Sequence, residues 1–425
     1  MNEQWAAYQD SKAFADRVAT LYGAGEDVLA LQKARYGKLV ERFEARFGAQ
    51  KGGLCFFSAP GRTEIGGNHT DHNNGRVLAA AVDLDTIACV SATEDHTIVV
   101  DSEGFAPITV KLDNLDVREK DFGTTLALIR GTAGVMQEMG YKVGGFRATI
   151  SSSVLRGSGL SSSAAFEVLI AAILDGLYNG FIVDAKTRAV IAQKVENVYF
   201  GKPCGLMDQM ASSVGGMVTI DFKEKDAKVE AIACDFAAKG YALCVVNTGG
   251  DHGDLTDEYA AIRKAVAAHF GKHVLREVEP ETVESRIGEV RRACGDRAVL
   301  RALHYYDENA RVLEQAAAIR GGDLPAFFDA VNRSGESSWK LLQNVYARPT
   351  EEQMAMGIEL SRRFLHGDGA QRVHGGGFAG TIQAYVPLAR LADYKKLMED
   401  AFGAGSCTAL MVRPEGAVMM PMEAE

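Results

Sequence analysis

Residues 156–165 read RGSGLSSSAA, and the chain runs on as FEVLIAAIL over 166–174. Glycines and serines leading straight into an apolar stretch predict a polar loop followed by a buried helix, from Ala164 to about Tyr178. Phe146 to Ser151, just before the loop, reads as a strand. A loop of this kind aims free backbone N–H groups at one spot, and the helix dipole adds positive potential there. The glycines let the backbone approach phosphate oxygens, while the serines offer hydroxyl donors and ligands for magnesium. The pattern is neither GxxxxGK[ST] nor a strand-linked GxGxxG, so neither a P-loop nor a Rossmann site is indicated. Taken alone, it also fits an ordinary loop with a serine N-cap.

The flanking sequence alternates between both kinds of secondary structure. Residues 1–47 read as helical, broken at Gly23 and Gly25. Leu54–Phe57 reads as a short strand meeting a turn at Ala59-Pro60-Gly61. Val77–Val82 and Thr86–Val90 read as two strands joined by Asp83 to Asp85. Helices are predicted at Thr124–Glu138 and Ala185–Phe200, and strands at Met217–Phe222 and Ala242–Asn247. Asp254–Leu342 is mostly helical, and a strand–helix–strand unit closes the chain over 381–412. The expected fold class is α+β with mixed sheets, not a doubly wound nucleotide fold.

Three further segments carry chemistry. Ala59–Leu78, APGRTEIGGNHTDHNNGRVL, packs arginines, histidines, carboxylates, asparagines and glycines at unusual density for a structural loop. His69, Asp71 and His72 could ligate a metal by residue type. Their i, i+2, i+3 spacing on a glycine-rich loop fits recognition of hydroxyl groups better. In Gly201–Gly216, GKPCGLMDQMASSVGG, Asp208 is a carboxylate in apolar surroundings, which calls for a partner or a function. Glu196 lies between Val195 and Val198 on the preceding helix and either faces solvent or holds a cation. Gly375-Gly376-Gly377 lies between strand-like segments, where close approach of a ligand or another backbone is a common reason for glycine.

The 425 residues suffice for two or three domains, and 47% hydrophobic with 24% charged residues describes a globular protein. A net charge of −10 argues against a nucleic-acid partner, whose phosphates demand a basic face. No apolar run approaches the length of a membrane span, and the amino terminus lacks the basic start and apolar run of a secretory signal. The expectation is a cytoplasmic protein with no membrane partner, monomeric or a weak homo-oligomer. The seven cysteines are scattered and form no CxxC pair, so no zinc site or disulfide framework is indicated.

Together these motifs resemble the galactokinases, a branch of the GHMP kinases, from about Tyr36 to about Pro414. APGR…HTD…G.VL is similar to the galactokinase signature, GSGLSSSAA to the phosphate loop, and GGGFAG to the carboxy-terminal motif, with Ala379 where glycine is usual. The resemblance implies the GHMP fold: a helical extension at 1–30, an amino-terminal domain at 31–230, a carboxy-terminal domain at 231–425, and the site between the two domains. It also implies transfer of the γ-phosphoryl of ATP, with Mg2+, to the C1 hydroxyl of galactose. By position, Arg62 and Asp208 match the catalytic pair. His69, Asp71, Gly205, Tyr259 and position 68 match the sugar site. Gly157, Ser158, Gly159, Leu160, Ser161, Ser162 and Ser163 match the phosphate loop, and Ser163 with Glu196 the magnesium site.

The departures concern the sugar. Galactokinases usually read GEHTDY where this chain has GNHTDH, so Asn68 replaces a glutamate and His72 a tyrosine. Glu64 stands where the family has asparagine, and Asp251-His252 replaces Arg-His. A neutral Asn68 beside C6 would spare a C6 carboxylate the repulsion of a glutamate, which makes a galacturonate kinase the alternative reading. Plant galacturonate kinases look similar in this respect. A non-catalytic sugar sensor is the alternative from another class. Such sensors shorten the phosphate loop, which is full length here.

Overall fold

The computed structural model describes residues 2–48, 53–154, 159–249, 265–346, 348, 350–378 and 380–422. The amino-terminal helices are α1 (Glu3–Tyr8), α2 (Lys12–Tyr22) and α3 (Glu26–Phe47). An eight-stranded sheet follows. Its main path is β12-β1-β2-β5-β3-β4, with β6 beside β2 and β7 beside β6. Its strands are β1 (Cys55–Gly66), β2 (Arg76–Ala92), β3 (Thr97–Ser102), β4 (Ile108–Lys111), β5 (Phe146–Ser152), β6 (Met217–Asp221), β7 (Lys228–Ile232) and, from the far end of the chain, β12 (Val418–Pro421). Helices α4 (Thr125–Glu138), α5 (Ser162–Tyr178), α6 (Ala185–Val198) and α7 (Met207–Val214) belong to this half.

β1 is buried along its whole length because helices cover both of its faces. Phe56 points into the aromatic cluster under α1–α3, with Trp5, Phe14 and Tyr36. Phe57, one residue on, points into the cluster under α4–α6. Pro60 and Gly61 do not end β1. A register shift between Pro60 and Arg62 absorbs them as a bulge, and the strand continues to Gly66.

Nor do Asp83 and Asp85 break β2, which is continuous over 76–92. Asp85 is fully buried and bonded at 2.6 Å to both Arg35 and Tyr22 and at 3.0 Å to Arg413. A carboxylate with that many partners can remain in a strand.

The second sheet is four-stranded and antiparallel, in the order β11-β8-β10-β9. Its strands are β8 (Tyr241–Gly249), β9 (Ala370–Val373), β10 (Gly380–Pro387) and β11 (Cys407–Leu410). Helices α8 (Ala265–His269), α9 (Pro280–Ser285), α10 (Ile287–Cys294), α11 (Asp296–Gly321), α12 (Leu324–Ser337), α13 (Gln353–Leu365) and α14 (Leu391–Phe402) complete it. Alternation along β8 again divides two cores. Leu243 and Val245 pack with α11 and α12, whereas Cys244 and Val246 pack with α13 and α14.

The expected α+β class with mixed sheets is what the chain forms. Both expected boundaries are crossed by continuous elements. α3 runs through residue 30, β7 runs through residue 230, and β12 leaves the second half to pair with β1, Cys55 opposite Pro421. Val418 and Met420 explain that return, since they are buried in the cluster under α1–α3. No described helix is long and apolar enough to cross a membrane.

Candidate active site

The signature strand, the glycine–serine loop and α7 converge on Asp208. Gly61 lets β1 approach the loop: a Cβ there would lie 2.9 Å from the Leu160 carbonyl, and the Arg62 amide donates to that carbonyl at 3.0 Å. Arg62 Nε then donates to Asp208 Oδ1 at 2.8 Å, and its Nη1 donates to the Gly159 carbonyl. Ser161 donates its hydroxyl to Asp208 Oδ2.

Burial alone would raise the Asp208 pKa. The Arg62 charge and the hydrogen bonds from Ser161 and Arg62 outweigh it and hold the carboxyl below its ordinary range. Ser161 sits at the N-cap of α5 in the left-handed region (φ 59°), and His69 does the same (φ 59°). Such conformations carry strain in a non-glycine residue and concentrate at functional sites.

Beside Asp208, the Gln209 side chain bridges two carboxylates. Its Nε2 donates to Glu196 Oε2 at 2.8 Å and, more loosely, to Glu167 Oε2 at 3.4 Å. Glu196 is buried on α6, with Lys202 Nζ 3.8 Å from its other oxygen. Burial pushes its pKa up, and Lys202 and a hydrogen bond from Cys204 only partly offset that. Glu167 on α5 is fully buried and its pKa is raised further, by burial first and then by Glu196. Ser163 stands in the first turn of α5, half-buried.

Among the described residues no group of three or more ligating side chains could hold a metal by itself. Magnesium does not require one, because it is commonly held by one or two carboxylates together with substrate phosphates. Buried Glu196, whose Oε1 has Lys202 Nζ no nearer than 3.8 Å, fits that demand.

The sugar-signature loop lies between the two halves of the molecule. His69 Nε2 bonds the Gly376 carbonyl at 2.8 Å, so the loop touches the glycine triplet. Asp71 Oδ1 accepts the His72 amide at 2.9 Å. The Asp71 carboxylate fills the space that a Cβ on Gly205 would need. Asn68 is fully buried. Its amide donates to Glu64 Oε1 (3.0 Å) and the Gly375 carbonyl (2.6 Å), and its oxygen accepts from Ser338 (3.1 Å) and Asn344 (2.8 Å).

The match to known proteins follows the same segments. Residues 41–92 match the galactokinase galactose-binding signature, and residues 127–216 match the GHMP kinase N-terminal domain. A galactokinase of Streptomyces coelicolor is 31% identical over 381 residues, spanning 88% of this chain and 94% of its own. The chain belongs to the galactokinase family.

A galactokinase of Mannheimia succiniciproducens is 29% identical over 359 residues, covering 81% of this chain and 88% of its own. Among solved structures, Lactococcus lactis galactokinase complexed with galactose superposes with a TM-score of 0.78. It does so at 23% identity, over 90% of this chain and 99% of that one. Methanococcus jannaschii mevalonate kinase follows with a TM-score of 0.59 at 16% identity, over 85% of this chain and 99% of that one. The fold is that of the GHMP kinases.

Not all of the expected residues are brought into direct contact. Arg62, Gly159, Leu160, Ser161 and Asp208 meet through direct bonds. Gly157, Ser158 and Tyr259, and with them Asp251, His252 and Ala379, lie outside the described residues.

Asn68 differs from expectation. All of its side-chain hydrogen-bonding capacity goes to protein partners, so it presents nothing to a sugar. Gly205 differs in its neighbour, since the group that exploits its missing side chain is Asp71. Residues not singled out from sequence are Gln209, Glu167 and Arg372, which forms a buried pair with Glu64 (2.6 Å). Glu167 had a signal, a lone carboxylate inside the apolar run of α5. Arg372 had none beyond its place just before the glycine triplet.

Proposed function

We propose that the chain transfers the γ-phosphoryl of ATP to the C1 hydroxyl of galactose. The observation that carries this reading is Asp208, held ionised between Arg62 and Ser161 where the signature strand meets the phosphate loop. Phosphoryl transfer needs little covalent work from a protein, so positioning and charge dominate. A carboxylate kept below its ordinary pKa is a weak base but stays charged at neutral pH. That suits it to orienting the sugar hydroxyl and accepting its proton late. Arg62 steadies Asp208 and is placed to meet charge developing on the transferred group.

Gly157 to Ser163 are assigned to the phosphates by their motif, with Gly159 to Ser163 leading into the start of α5. Glu196 and Ser163 are the residues we assign to magnesium, which when bound neutralises the phosphate charge. His69 and Asp71 read ring hydroxyls, Gly205 gives Asp71 its room, and Tyr259 is assigned to the sugar by its place in DEYAAIR. The galacturonate alternative rests on a neutral position 68 beside C6 and on His72 after Asp71; the four protein bonds of the Asn68 amide weigh against its facing the sugar. The test is ATP turnover against a panel of hexoses, hexuronic acids and N-acetylhexosamines. The expected result is a preference for galactose by kcat/KM. A preference for galacturonate would overturn it.

A further inference from the structure

Among the described residues, Glu167 is the one fully buried carboxylate beside the phosphate-transfer residues that has no task in the proposed reaction. It follows Phe166 and precedes Val168 in the apolar run of α5, and its carboxyl, turned toward Gln209, is costly to bury. One of its oxygens is 3.4 Å from Gln209 Nε2; the other has no partner among the described residues. Gln209 Oε1 is likewise without a partner among them. The same Gln209 Nε2 reaches Glu196 at 2.8 Å, and Gln209 follows Asp208 in the first turn of α7.

We propose that Glu167 is a positioning residue for phosphoryl transfer. By accepting from Gln209 it fixes the amide that orients the Glu196 carboxylate, and so sets the cation-binding group in register with Asp208. This rests on the assignment of Glu196 to the cation. Glu167 touches neither substrate nor metal, and it works through a hydrogen bond rather than through its charge. Groups that orient a metal ligand in this way typically change metal affinity or activity 10- to 100-fold when removed.

The experiment compares Glu167→Met, Glu167→Gln, Gln209→Met, the double Met variant and Glu196→Gln. Mn2+ affinity in the presence of ATP is read by electron paramagnetic resonance, with kcat, sugar KM and melting temperature alongside. Glu167→Met is expected to fold at least as stably as the parent. It should weaken Mn2+ about tenfold and lower kcat about tenfold, with sugar KM changed less than twofold. Glu167→Gln can still accept from Gln209 and should stay within about threefold of the parent on this account. Gln209→Met should repeat the Glu167→Met loss, and the double variant should be no worse than either single one.

Parental Mn2+ affinity in Glu167→Met overturns the proposal, as do additive losses in the double variant. A Glu167→Gln loss as large as that of Glu167→Met also overturns it, because charge would then be what matters. Should Glu167→Met fail to fold, the comparison of Glu167→Gln with Gln209→Met decides the same point. Unchanged Mn2+ affinity in Glu196→Gln would instead remove the cation assignment on which the proposal stands.

Discussion

Arg62 and Asp208 show how single residues carry this site. Arg62 is the largest of the influences holding the Asp208 carboxyl below its ordinary range against its burial. Removing that charge must let the Asp208 pKa rise. Arg62→Gln should therefore move the acid limb of kcat/KM to higher pH and lower kcat by about 10²-fold or more. A pH–rate profile checks both, and an acid limb that stayed in place would detach Arg62 from Asp208.

At Asn68 the structure changes the expectation. A glutamate there would be a second buried carboxylate beside Glu64, facing the Gly375 carbonyl where the Asn68 amide now donates. Asn68→Glu should destabilise the fold by about 3–5 kcal/mol, the scale of an uncompensated buried charge, read by urea unfolding. An unchanged midpoint with an altered ratio of galactose to galacturonate turnover would restore a pocket-facing role. The motif letters gave the identity of position 68 but not its neighbours. Ser338, Asn344 and Gly375 come from some 270–307 positions further along the chain.

At the scale of elements, local signals mark most of the structure. α5 and its loop are announced by a glycine–serine turn entering an apolar run, and the break between α2 and α3 by Gly23 and Gly25, whereas the break between α1 and α2, before Ser11, is not. Errors arose where tertiary partners overrode local signals. Pro60-Gly61 looks like a turn but is a bulge inside β1, held by the Leu160 carbonyl. Asp83 and Asp85 look like a break in β2, yet Met411 and the cluster of Arg35 and Arg413 bond them in place. β12 could not be foreseen because its partner lies at the other end of the chain.

The loop–helix junction at Gly205 gives a prediction of its own. A methyl group there collides with the end of the Asp71 side chain, which is only 10% exposed and must swing aside to make room. Gly205→Ala should raise sugar KM about tenfold with little change in melting temperature, because an aspartate aimed wrongly loses a charge-assisted contact. A parental KM would free Asp71 from the sugar site.

Across the whole molecule, buried polar clusters join distant parts of the chain. Asp85 binds Arg35 from the amino-terminal helices and Arg413 from near the carboxy terminus. Glu308 on α11 binds the Gly67 amide of the signature loop (3.1 Å), Ser334 (2.6 Å) and Arg311. Burial would raise the Glu308 pKa, but His304, Arg311 and Arg372 bring it down from 4.5 to about 2. A depressed carboxyl stabilises the folded state fully above its unfolded value and loses that contribution as pH falls through the folded one. Glu308→Gln should thus cost about 3 kcal/mol at neutral pH. The gap to the parent should close between pH 4.5 and about 2, as followed by urea unfolding across that range.

Phosphoryl transfer at Asp208 is tested most directly by 31P NMR of the product formed from ATP and galactose by the parent and by folded Asp208→Asn. The predicted result is galactose 1-phosphate from the parent and a rate at least ~10²-fold lower from the variant. The contradicting result is no galactose-dependent product from the parent, or a near-parental rate from Asp208→Asn.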